Sequence, residues 1–190
     1  DPFRITVDSK SNIYISRPNS GIVDKYNQEG QMIKRFEIPH AFALCTRNYK
    51  EKEEIIVVPS WYANNKWQEV SEIYKIEITT DEINKINLSK PICGSEDVAC
   101  DKNGNIYILA QINQLYKFDP NGKLISVIGG GTYIRVQDGS ELQHTVAIDS
   151  SNNIYSITPG NPGFVTMFDP EIKTIKQVPG EFYWYDSWGP

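Results

Sequence analysis

Both histidines of this 190-residue chain stand at the same place relative to a short apolar run. His40 lies two residues before Phe42-Ala43-Leu44, and His144 lies two residues before Val146-Ala147-Ile148. Glu96 is placed in the same way ahead of Val98-Ala99, Glu181 ahead of Tyr183-Trp184, and Phe3 ahead of Ile5-Thr6-Val7. Imidazole nitrogen and carboxylate oxygen are ligands for a divalent metal. His40, Glu96, His144 and Glu181 could hold one if they converged, with a position left open for water or substrate. The plainer expectation is that they are solvated residues where strands begin. No cofactor is therefore the leading expectation, and a divalent metal is the alternative.

A second constellation is aromatic. Trp61, Tyr62 and Trp67 occupy one stretch with Asn64, Asn65 and Gln68, and flat apolar rings beside amides suit a sugar ring or a protein surface. The same rings could equally pack over their own sheet. Arg17, Tyr133 and Arg135 lie in other long links and complete the candidate ligand-binding set. The remaining signals point to structure. Gly129-Gly130-Gly131 lacks the Lys and Ser/Thr of a phosphate loop and opens no helix. Asp8, Asp101 and Asp149 each stand four residues before an Asn. Their recurrence fits carboxylates that accept backbone N–H bonds in a chain reversal. No nucleophile, base and acid can be assembled into a hydrolytic set. The cysteines Cys45, Cys93 and Cys100 are too few and too scattered for a zinc ribbon, and their odd number leaves at least one free. Buried apolar thiols are expected. A Cys45–Cys93 bridge is the disulfide that strand-end positions would permit, and it would imply an oxidising compartment. Asn87-Leu88-Ser89 is a glycosylation triplet of a kind expected by chance.

The elements that must position these residues are read from Val98 to Val127. Val98-Ala99-Cys100-Asp101 is a short strand closed by an acid, and Lys102-Asn103-Gly104 tolerates a tight reversal. Asn105-Ile106-Tyr107-Ile108-Leu109 is a β-branched and aromatic run, and Leu115-Tyr116-Lys117-Phe118 alternates across a third strand. Asp119-Pro120-Asn121-Gly122 turns the chain into a fourth strand from Lys123. Four antiparallel strands in about forty residues make one blade of a repeat. The unit recurs as Ile5-Thr6-Val7-Asp8 with Asn12-Ile13-Tyr14-Ile15, and as Val146-Ala147-Ile148-Asp149 with Asn153-Ile154-Tyr155. Between them lies a degenerate copy with Cys45 at the acid position and a long insert.

These units resemble the NHL-repeat family and its six-bladed β-propeller relatives. Such units carry an apolar-Ala-apolar-Asp strand, a G-N-I-Y strand and an F-D-x-x-G turn; Asp101 through Tyr107 and Phe118 through Gly122 match that pattern. The resemblance covers essentially the whole chain and implies an all-β propeller of four-stranded antiparallel blades. It says little of function, because such propellers serve as enzymes, scaffolds and binding modules alike. It further implies that the first strands line a central channel, with His40, Glu96, His144 and Glu181 ringing its mouth. The second-to-third-strand links and the links between blades emerge on one face. They include Arg17 to Gly21, Pro59 to Glu72, Thr132 to Gln143 and Pro159 to Gly163, and loops of that kind on a rigid scaffold are where binding usually resides.

Blades are expected near 3–38, 41–89, 97–129 and 145–178, with 182–187 opening a fifth. A closed ring normally needs more than four blades, so the expectation is an incomplete ring, with the remaining blades of a larger chain among its partners. A net charge of −5 without a basic run argues against nucleic acid, and no apolar run reaches membrane-span length. The sequence reads as a non-catalytic binding or scaffold module for a protein or glycan, more consistent with no enzyme than with one. The alternative is a metal-dependent lyase or lactone hydrolase with a channel-mouth site. An extracytoplasmic setting, periplasmic or secreted, is slightly favoured over a cytoplasmic one.

Overall fold

The computed structural model describes residues 2–110, 114–128, 145–158, 163–171 and 174–180. Their strands form four antiparallel four-stranded sheets and one short hairpin. No α-helix occurs among the described residues, and no helix is long and apolar enough to cross a membrane. The first blade runs β1 (Ile5–Val7), β2 (Ile13–Arg17), β3 (Ile22–Tyr26) and β4 (Met32–Glu37), each paired to the next. The second uses β5 (Ala41–Tyr49), β6 (Lys52–Pro59), β9 (Glu69–Glu77) and β10 (Ile83–Cys93). Between β6 and β9 the chain makes the small hairpin β7 (Tyr62–Ala63) and β8 (Lys66–Trp67). The third blade is β11 (Ser95–Cys100), β12 (Ile106–Ala110), β13 (Gln114–Phe118) and β14 (Leu124–Ile128). The fourth is β15 (Thr145–Ile148), β16 (Ile154–Thr158), β17 (Gly163–Phe168) and β18 (Thr174–Gly180).

Strand periodicity places the cores between blades rather than within them. On β6, Ile55 and Val57 pack toward the first blade against Tyr14, Val23 and Phe36, while Ile56 and Val58 pack toward the third against Ile106, Ile108 and Phe118. On β12, Ile106 and Ile108 face the second blade, whereas Tyr107 and Leu109 join Val146 and Ile154 of the fourth. A strand covered on both faces gains from apolar residues at consecutive positions, which is why these runs do not alternate with polar ones. Each fully buried aliphatic side chain there stabilises the stack by about 1.5–3 kcal/mol.

The repeated acids are the hinges of the inner hairpins. Asp101 Oδ1 accepts the N–H groups of Asn103 and Asn105 at 2.9 Å each, and its Oδ2 accepts from Asn105 Nδ2 at 2.8 Å and from the Tyr107 hydroxyl at 3.1 Å. Asp8 with Asn12 and Tyr14, and Asp149 with Asn153 and Tyr155, repeat the arrangement. The structural reading of these acids is therefore correct, and it extends to the tyrosine six residues on. Burial first, and the carboxylate second, push the Tyr14 and Tyr107 phenols well above their ordinary range.

The second blade departs from this pattern. Its inner hairpin has Cys45 where the other blades carry the repeated aspartate, and it continues to a tight reversal at Lys50 and Glu51, both with positive φ. The extension brings Arg47, 2% exposed, against the third blade, where its Nη1 donates to the carbonyls of Gly104 and Pro120. Its other nitrogens bind Glu54, which also accepts from Lys75 Nζ at 2.6 Å. Tyr49 lies on the Gly104 backbone so closely that a Cβ there would sit 2.5 Å from the ring.

Candidate functional site

Of the candidate residues, His40 and Glu96 stand at the starts of the inner strands β5 and β11, and Trp61, Tyr62 and Trp67 lie in the insert between β6 and β9. At His40 the backbone turns through a positive φ of 55° into β5, and its imidazole stacks on Trp61, centroids 4.7 Å apart and planes 17° from parallel. His40 also borders a shallow cleft of about 400 Å³, whose other walls include Pro18, Gly21, Ile22 and Glu37. Trp61 packs on the core between the second and third blades, so it joins the scaffold to the histidine.

Beyond Trp61 the chain forms the β7–β8 hairpin. Asn64 and Asn65 both adopt positive φ, which gives the two-residue turn whose twist suits a tight hairpin. Tyr62 pairs with Trp67 across it, the rings edge to face with centroids 5.5 Å apart. Gln68 locks the loop, its side-chain amide donating to the carbonyls of Ala63 at 2.8 Å and Lys66 at 3.0 Å. Cys93 Sγ reaches the Trp67 carbonyl at 3.3 Å. Asn64, Asn65 and Gln68, read from sequence as amides for a ligand, thus shape the hairpin. The turn fixes the two asparagines' backbones, and internal acceptors occupy the glutamine's donors. Tyr62, 58% exposed, is the ring the hairpin presents to solvent.

Phe3 and Glu96 stand at the starts of the neighbouring inner strands. Phe3 packs on Phe42, centroids 4.0 Å apart, and the Arg4 guanidinium lies over the Phe3 ring. Arg4 reaches past the second blade to the third, donating to the Glu96 carbonyl at 3.2 Å with its Nε 3.7 Å from Asp97. Asp97 also accepts from the Thr145 hydroxyl at 2.6 Å and the Val146 N–H at 3.0 Å, so one carboxylate draws three blades together. This junction was missed in the sequence; the signal is Asp97 beside Glu96 within the opening residues of an inner strand. Ser60, 3% exposed, donates its N–H to the His40 carbonyl, while its hydroxyl finds no bonding partner among the described residues.

Arg17 lies on the open side of the first blade, its Nε donating to Asp24 at 2.8 Å beside Arg35. Hydrogen bonding from Arg35, opposed by burial and helped by Arg17, holds the Asp24 carboxyl below the usual range. Arg17 is therefore engaged within its own sheet. Tyr133, Arg135, His144 and Glu181 lie outside the described residues. Among the described residues no three His, Cys, Asp or Glu side chains gather as a metal site would require. The Cys45–Cys93 bridge does not form: all three cysteines are free thiols, and Cys45 faces Cys100 instead.

No protein-family model matches the sequence, and no curated protein does. Solved structures are similar in fold. Virginiamycin B lyase from Staphylococcus aureus is 17% identical with a TM-score of 0.62, the match covering 92% of this chain and 54% of that one. BamB from Moraxella catarrhalis is 14% identical with a TM-score of 0.55, covering 92% and 51%. Kuenenia stuttgartiensis hydrazine synthase is 16% identical with a TM-score of 0.65, covering 94% and 53%. The chain thus spans about half the length of these three propellers. At such identities the likeness establishes the β-propeller fold and nothing of the chemistry.

Proposed function

We propose that this chain is a binding module, presenting the β7–β8 hairpin to a partner protein outside the cytoplasm. The observation that carries the reading is the hairpin itself. An exposed Tyr62 and the edge-paired Trp67 are held by a two-residue turn and by the Gln68 amide on a loop that the repeat does not need. Rigid aromatic rings lose little conformational entropy on binding, and a preorganised loop lowers the cost further. A protein partner is favoured over a glycan because the Gln68 donors that could read sugar hydroxyls are committed to the loop.

The test is photo-crosslinking from position 62 of the full-length protein in its native extract, followed by affinity measurement with the captured partner. Tyr62→Ala and Trp67→Ala are each expected to weaken binding at least tenfold. Unchanged affinity in both variants, or retention of glycans and no protein on a mixed array, overturns the reading. Metal analysis of the same preparation addresses the enzymatic alternative. One equivalent of tightly held divalent metal, lost in His40→Ala and His144→Ala, would replace the binding module with a channel-mouth metalloenzyme.

A further inference from the structure

Successive residues of a strand point to opposite faces, and on β5 this places two small polar side chains toward two different blades. Thr46 turns to the first blade, where its hydroxyl meets that of Thr6 at 2.9 Å. Cys45 turns to the third, where its sulfur lies 2.9 Å from that of Cys100, the last residue of β11. Both cysteines are partly buried and rest against the core shared by the second and third blades. Cys93 stands apart, exposed at the end of β10 with its thiol on the Trp67 carbonyl.

We propose that Cys45 and Cys100 are a disulfide site that covalently joins the inner strands of the second and third blades. A closure of roughly 0.9 Å brings the observed sulfur separation to that of a bond, a shift within the reach of two side-chain torsions. The oxidant is a disulfide, either a small-molecule one or that of an oxidoreductase. One thiolate attacks it and releases a first thiol, leaving a mixed disulfide. The second thiolate then attacks the protein sulfur of that bond and releases a second thiol. Two protein thiols are oxidised, one external disulfide is reduced to two thiols, and both protons leave with the departing sulfurs.

The surroundings determine what kind of bond this is. Desolvation, with Cys100 beside it, holds the Cys45 thiol well above its ordinary range, with Arg47 pulling the other way. A thiol kept protonated attacks slowly, so the pair is not built as a fast exchanging catalytic dithiol. Oxidation proceeds when the second and third blades part transiently or while they first assemble, and the bond is then shielded from external reductants. The link closes a long loop, since 55 positions separate the two cysteines, and it restrains the unfolded chain accordingly.

The experiment incubates the full-length protein in oxidised and in reduced glutathione, then unfolds it, alkylates free thiols and maps the peptides by mass spectrometry. Oxidised protein is expected to yield a Cys45–Cys100 linked peptide, retained in Cys93→Ser and absent in Cys100→Ser. Its melting temperature should exceed that of the reduced form by roughly 10 °C, and Cys93→Ser should preserve that difference. Three alkylated cysteines in the oxidised protein, or a link that runs through Cys93, overturns the proposal.

Discussion

Asp101 and Glu54 are both buried carboxylates, yet only one of them could be assigned from its neighbours in sequence. Asp101 is satisfied by groups two, four and six residues away, so its spacing to Asn105 and Tyr107 announces its role in the turn. Glu54 is satisfied by Arg47 and by Lys75, one in the preceding strand and one across a long insert. The same contrast explains the cysteines: Cys45 and Cys100 meet only because two blades pack, which no local spacing encodes. Burial alone would raise the Glu54 carboxyl, but hydrogen bonds from Lys75 and Arg47 outweigh it and hold the group below its usual range. A depressed carboxyl contributes stability that is fully present above its unfolded value, about pH 4.3, and is lost as pH falls through the lower folded value. Arg47→Met leaves a buried charge with Lys75 alone and should cost about 3 kcal/mol at neutral pH. It should also flatten the acid dependence of stability, because a carboxyl no longer held below its usual range takes up no extra proton on unfolding. Urea melts at neutral and at acid pH read both effects, and a destabilisation as large in acid as at neutral pH contradicts the assignment.

At the scale of elements, the second-strand runs Asn12-Ile13-Tyr14-Ile15, Asn105-Ile106-Tyr107-Ile108 and Asn153-Ile154-Tyr155 were legible and became β2, β12 and β16. Their turns are built from short-range bonds, and short-range bonds leave a sequence pattern. The second blade was harder to read. Its inner hairpin outgrows the repeat, and what stabilises the extra length is a tertiary contact with Gly104 and Pro120 of the next blade. Read locally, Gly104 is a turn residue, and its positive φ of 80° bears that out. Its second duty, to leave room for the Tyr49 ring, is invisible without the fold. Gly104→Ala should therefore destabilise through both strain and overlap, by about 2–3 kcal/mol. Pairing it with Tyr49→Ala should recover the overlap and leave the strain, so the double variant should lose less than the sum of the singles. A double-mutant cycle in urea checks this, and strict additivity would mean that the ring gives way freely.

Across the whole molecule, three apolar cores separate four blades, and each core is made by the facing sides of two neighbours. The other side of the first blade has no such neighbour among the described residues. Thr6 points at Thr46 of the second blade, so Ile5 and Val7 point away, in register with Ile15 and Ile13 on the next strand. Ile5 is 63% exposed and Val7 50%, while the central strand residues of the inner blades are almost fully buried. The Arg17–Asp24–Arg35 group sits on this same open side, where its charges give direction to whatever packs there. A contiguous apolar face of this kind, rimmed by charge, is a packing surface. The 190-residue chain expressed alone is expected to associate through it at micromolar concentration, and Ile5→Lys combined with Val7→Lys should return it to a monomer. The Lys side chains are tolerated because they extend into solvent and displace no core contact. Multi-angle light scattering of the two forms decides the matter: a wild-type chain that remains monomeric at tens of micromolar would show that Ile5 and Val7 serve no packing role.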